Sequence, residues 1–229
     1  MKSLFISLLV ACLTTTSLFA QSFEKDASAW HKKAIMTCGM IKSQNPDSAL
    51  ITRNIAELEA GINDILKMYM NNPPAEYAKD VNWNSYLLSL KENLTVVKER
   101  VEKKEYLKAS FFCPYFCNIF GKMHKINGST DLTDIMFSWR MEIKNTTDMF
   151  NAGNISGAMQ NVKRTEESYQ NLLKMKAAKN NETFESLFAP LEQIYVAWLN
   201  AIKISDSQKI NESYNSFMKA FSKPYLSTL

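Results

Sequence analysis

The sequence predicts an all-α protein, arranged as two tandem up-down-up-down four-helix bundles, and three observations carry that prediction. Leu, Met, Ala, Lys, Glu and Gln dominate after Phe23, with apolar residues recurring at intervals of three and four. Clusters of Pro, Gly and Asn punctuate this pattern. The chain also matches itself, half against half. Six glycines in 229 residues leave no room for a dinucleotide-binding fingerprint or a Gly-rich phosphate loop.

The first twenty residues stand apart. Lys2, the apolar run from Leu4 to Ala11, and Ser17-Leu18-Phe19-Ala20-Gln21 have the charged start, greasy core and small-residue end of a secretory signal peptide. Cleavage is expected after Ala20. Leu9-Val10-Ala11-Cys12 is a second candidate, a lipoprotein box with Cys12 acylated, but only eleven residues precede that cysteine. Loss of Lys2 with the signal leaves 26 basic against 23 acidic side chains. That balance argues against a nucleic-acid binder resting on bulk charge, and no later stretch has the length and apolarity to span a bilayer.

The helices follow in order. Ile55, Leu58, Ile62, Ile65, Leu66 and Tyr69 make one apolar stripe, and Leu87, Leu90, Leu94, Val97 and Val101 another. Breaks fall at Asn45-Pro46-Asp47-Ser48, Asn71-Asn72-Pro73-Pro74, Asn127-Gly128-Ser129, Asn151-Ala152-Gly153-Asn154 and Lys179-Asn180-Asn181, with charged bends near Lys103-Lys104-Glu105 and Ser205-Asp206-Ser207. Eight helices result. An offset of 109 lays Trp30 on Trp139, Thr37 on Thr146, Met40 on Met149 and Asn45 on Asn154. An offset of 107 lays Ile65-Leu66-Lys67-Met68 on Leu172-Leu173-Lys174-Met175. One of 101 lays Trp83 on Phe184, Leu90 on Leu191, Phe116 on Phe217 and Phe120 on Phe221. The offset changes only between helices, where loop length varies at little cost. The expected domains are 21–129 and 130–229, each long enough for one modest core.

The chemistry-bearing residues gather in the first half. With Cys12 removed, Cys38, Cys113 and Cys117 remain, an odd count for an exported chain. Cys113, Cys117 and His124 project within roughly 40° of one another on the fourth helix, at about 100° per residue. His31 and Cys38 share a stripe on the first helix. Laying 23–43 antiparallel to 105–127 puts Cys38 level with Cys113 and His31 near Cys117. Two readings are open. Cys38, Cys113 and Cys117 with His31 form a soft-metal nest for copper or zinc, or Cys38 forms a disulfide with Cys113 or Cys117. Pro114 either kinks the fourth helix beside these cysteines or opens it at its first turn. In the second half the same places hold Thr147, Tyr214, Met218, Tyr225 and Arg140, so the helical pattern does not require Cys or His there.

Trp83, Tyr86-Leu87, a long amphipathic helix, the bend at Glu105 and Lys108-Ala109 together resemble the cytochrome c-prime family. The histidine of that family's C-x-x-C-H haem motif falls on His124, so Phe120-Gly121-Lys122-Met123-His124 reads as the motif with both cysteines replaced. Phe120 and Met123 have no thiol with which to form the thioether bond to haem, so covalent attachment through this motif is excluded. The resemblance implies a bacterial periplasmic location. It also leaves open a noncovalent haem held between His124 and a first-helix methionine, Met36 ahead of Met40. No Ser-His-Asp or Cys-His catalytic set and no Glu-x-x-His di-iron motif can be argued. The functional expectation is an exported, non-catalytic binding protein holding copper, zinc or noncovalent haem in its first half, with the second half structural or facing a protein partner. The alternative is a structural or interaction module whose cysteines serve only a disulfide or core packing.

Overall fold

The computed structural model describes residues 23–179 and 181–229. The signal-peptide and Cys12 readings lie outside the described residues. Within them the chain is all-helical, and no helix is long and apolar enough to cross a membrane. It divides into two compact units, the first ending at Ser129 and the second spanning Thr130–Leu229.

In the first unit α1 occupies 23–41, followed by α2 (Ser48–Tyr69), α3 (Trp83–Glu102) and α4 (Tyr106–Asn127). The start of α2 is set by Asp47, whose carboxylate accepts from the Leu50 amide. Its apolar positions recur at helical spacing, so Ile51, Ile55, Leu58, Ile62, Ile65 and Tyr69 are buried, while Leu66 is half-buried at the edge of the stripe. On α3 all five stripe residues from Leu87 to Val101 are buried. α2 packs on α3 and α3 on α4. The Trp30 indole of α1 donates to the Leu58 carbonyl of α2 at 2.8 Å and meets Phe116 of α4 edge-on at 5.4 Å. Burying a Trp or Phe of this kind supplies roughly 2–3 kcal/mol each.

The 70–82 connection holds more core than its Pro-Pro sequence suggests. Tyr77 is fully buried, against Phe23 at 5.5 Å and Trp83 at 4.9 Å. Its hydroxyl donates to Glu24 and lies 3.0 Å from the Ser129 hydroxyl. Burial first, and the Glu24 carboxylate second, hold the Tyr77 phenol far above its ordinary ionisation range.

The second unit runs α5 (Leu132–Asn151), α6 (Ile155–Lys179), α7 (Glu182–Lys203), α8 (Ser207–Ala220) and the short α9 (Ser222–Leu226). Asp131 and Asp134 form a reciprocal capping box at the head of α5. α5 packs on α6 and α8, and α7 on α8. The sequence reading ran α8 and α9 together as one helix. Proline at 224 has no amide to give the Ala220 carbonyl, and the helix parts at Phe221.

The bends before α4 and α8 are built alike. Lys104 and Ser205, equivalent at the offset of 101, adopt left-handed backbone with φ of 57° and 55° although neither is glycine. Glu105 donates its amide to Arg100 and Lys104 to Val101, and Asp206 and Ser205 do the same to Ala201 and Ile202. Each is a complete Schellman ending.

Candidate functional site

α1 and α4 run antiparallel along one side of the first unit, and the cysteines and histidines line up between them. Cys38 and Cys113, 75 positions apart in sequence, are joined by a disulfide with their Cα atoms 5.8 Å apart. That spacing suits the bond. One turn along α4, Cys117 is a buried thiol, and the Nε2 of His31 approaches its sulfur at 3.3 Å. The tautomer of His31 decides which of the two donates. The His31 ring is buried and stacks on Phe120, centroids 4.4 Å apart and 22° from parallel.

His124 is two turns beyond Cys117, also buried, with its ring 6.0 Å from Phe120 and its Nε2 3.8 Å from a Glu24 carboxylate oxygen. Its carbonyl accepts from the amides of Gly128 and Ser129, closing α4 at a left-handed Gly128. Pro114 lies well inside α4, eight residues past Tyr106, so its reading as a first-turn residue is corrected to an interior one.

Two consequences follow for the residues singled out in the sequence. The soft-metal nest needs Cys38, Cys113 and Cys117 as thiolates, and a disulfide between the first two replaces two thiolates with one poor donor pair. In this structure the nest and the bridge are alternatives, and the bridge is formed. The haem pair fares differently. Glu24, which faces His124, and Met36 are twelve residues apart on the continuous α1, a rise of about 18 Å. Met36 is also exposed on its surface. One iron cannot be ligated by both, so His124 and Met36 do not form an axial pair. Met40, the lesser candidate, is half-buried and takes a contact from the Asn54 amide at 3.4 Å.

The second unit fills the same slots with other chemistry. Trp139 meets Phe217 edge-on at 5.0 Å, as Trp30 meets Phe116. Arg140, at the His31 position, lies 5.4 Å over the Phe221 ring, and Tyr225, at the His124 position, stacks on that ring at 5.1 Å. Thr147, at the Cys38 position, receives the Trp198 indole hydrogen bond at 3.0 Å. Two flat side chains against one phenylalanine are thus common to both units, and a histidine is only one way to supply them.

The sequence reading missed the outer side of α4. Leu107, Phe111, Tyr115 and Ile126 are 73, 65, 54 and 53% exposed. The signal was present, since apolar residues recur at four on both faces of this helix. No protein-family model, no curated protein and no solved structure matches this chain.

Proposed function

We propose that the protein is a non-catalytic interaction module, exported to a bacterial periplasm and made of two tandem up-down-up-down four-helix bundles of cytochrome c-prime-like organisation. The observation that carries this reading is the Cys38–Cys113 bond, which uses two of the three sulfurs a soft-metal site would need. The bridge joins the first and last helices of its unit, the pair most free to separate, and so serves as a brace. His31 and His124 act in this reading as flat packing groups on Phe120, as Arg140 and Tyr225 do on Phe221. Both are buried, which suits packing better than turnover of a substrate.

The rival reading, a copper or zinc site in the reduced protein, draws its support from the 3.3 Å approach of His31 to Cys117. Thiol counting separates the two. The protein is purified without reductant, its N-terminus determined, and thiols titrated in denaturant alongside metal analysis and a visible spectrum. A single thiol in the chain after Ala20, with neither stoichiometric metal nor a Soret band, is the expected result. Three thiols with bound copper or zinc, or a Soret band, would overturn the proposal.

A further inference from the structure

α4 has eight exposed side chains: Leu107, Lys108, Phe111, Tyr115, Asn118, Lys122, Lys125 and Ile126. At about 100° per residue they all fall within an arc of about 100°. Four are large and apolar, three are lysines, and the whole helix contains no Asp or Glu. Glu105, just before it, is taken up by Arg100 and Lys108, and Asp80, at its far end, accepts from Asn127. The Lys122 ammonium lies 6.0 Å from the Tyr86 ring.

The second unit supplies the control. The seven exposed side chains of α8 are Ser207, Gln208, Lys209, Glu212, Asn215, Ser216 and Lys219, none of them apolar. At the offset of 101, Leu107, Phe111 and Tyr115 become Gln208, Glu212 and Ser216. The same fold position is therefore stable in water with a polar face. Leaving an apolar one exposed on α4 gives the first unit nothing in packing, and such faces mark contact surfaces.

Size and charge select the occupant. Four such side chains, more than half exposed, present on the order of 400 Å². A stable protein interface buries about 800 Å² on each partner. A second copy docked by the same face would set three lysines against three lysines. Aromatic and aliphatic side chains interleaved with lysines, and free of acids, match the boundary of an anionic bilayer, where rings enter the headgroup region and lysines meet phosphates.

We infer that the outer face of α4, centred on Phe111 and Tyr115 with Lys108, Lys122 and Lys125, is a docking face for an anionic lipid surface. This rests on the interaction-module reading and names its partner. The test is cosedimentation of the full exported chain with phosphatidylcholine vesicles that contain or lack phosphatidylglycerol. Binding is expected only to the anionic vesicles, and to weaken steeply with salt. Phe111→Ser with Tyr115→Ser lowers it by about tenfold or more. Lys122→Gln and Lys125→Gln each lower it by about fivefold, while Glu212→Ser in the second unit leaves it unchanged. All five positions are exposed, and an unaltered helical circular-dichroism spectrum verifies folding.

Absence of vesicle binding overturns the inference. So does equal binding to neutral vesicles, binding indifferent to the α4 variants, or a concentration-dependent dimer in light scattering that the Phe111 variant abolishes. Saturable binding of an acidic helical peptide, lost in the same variants while vesicles stay free, assigns the face to a protein and likewise overturns it. Failure here is distinct from failure of the module. One thiol without vesicle binding refutes the lipid face alone, whereas three thiols with bound metal refute the module whatever the vesicles do.

Discussion

The two units solve one packing problem with different chemistry. Trp30 against Phe116 and Trp139 against Phe217 are both edge-on pairs, at 5.4 and 5.0 Å. His31–Phe120–His124 in one becomes Arg140–Phe221–Tyr225 in the other. The non-glycine left-handed endings recur at Lys104 and Ser205. What differs is the bond between α1 and the last helix of the unit, and the outer face of that last helix. The shared features belong to the packing; the differing ones are particular to the first unit.

Opening the bridge should divide the units most sharply. Chain entropy assigns about 4 kcal/mol to a cross-link closing a loop of this length, and the second unit contains no cysteine. Reduction, or Cys38→Ser with Cys113→Ser, is expected to destabilise amides of the first unit alone in hydrogen exchange. An equal loss in both units would show that the bridge does not brace the first unit alone.

Alkali should act on both units. Burial pushes the Tyr77 phenol upward, and burial, with Glu166 as the leading charge, pushes Tyr195 up to about 12. In unfolded chains these phenols ionise near pH 10. Above that pH the native state holds protons that the unfolded state has released, so stability falls as pH rises, by at most about 1.4 kcal/mol per pH unit for each tyrosine. The expected signature for Tyr77 and Tyr195 is a late step in phenolate absorbance, coincident with loss of helix. A smooth titration of all the tyrosines near pH 10 with helix retained would refute the buried setting of both.

The smallest effect concerns the bends. A left-handed non-glycine residue costs roughly 1–2 kcal/mol, part of which glycine returns to unfolded-chain entropy. Lys104→Gly and Ser205→Gly are each expected to raise stability by about 0.5–1 kcal/mol, in their own units, by urea denaturation. A gain at one and a loss at the other would show that the two endings only look alike.

Much of this could be read in the residues. The α2 and α3 stripes sort inside from outside because burial follows the helical period, and the seven-residue spacing of His31 and Cys38 places them opposite Cys117 and Cys113. The partner of Cys38 was not legible, since choosing between sulfurs one turn apart depends on the depth and rotation of each helix. The Met36–His124 pairing rested on the family resemblance alone, and it conflicts with the antiparallel lay of 23–43 on 105–127, which sets His124 level with the start of α1. Tyr77 was hidden in a stretch with no period, between Pro73-Pro74 and charged residues, where only tertiary contact decides burial. The α4 face was not legible because apolar residues recur on two sides of this helix, and periodicity alone does not say which side is covered. The partner-facing role expected of the second half finds no apolar counterpart on α8, whose exposed side chains are all polar.

The Cys38–Cys113 bond also makes the first unit a covalent ring with two short tails. Pulled from its ends, the chain transmits tension from α1 straight across the sulfurs into α4, so α2 and α3 carry no load. At about 3.5 Å of extended chain per residue, the 75-residue separation of the two cysteines withholds on the order of 26 nm of length from a stretching experiment. That length is released only when the sulfur bond is cut. The second unit, with no such ring, unravels through its whole sequence under the same force.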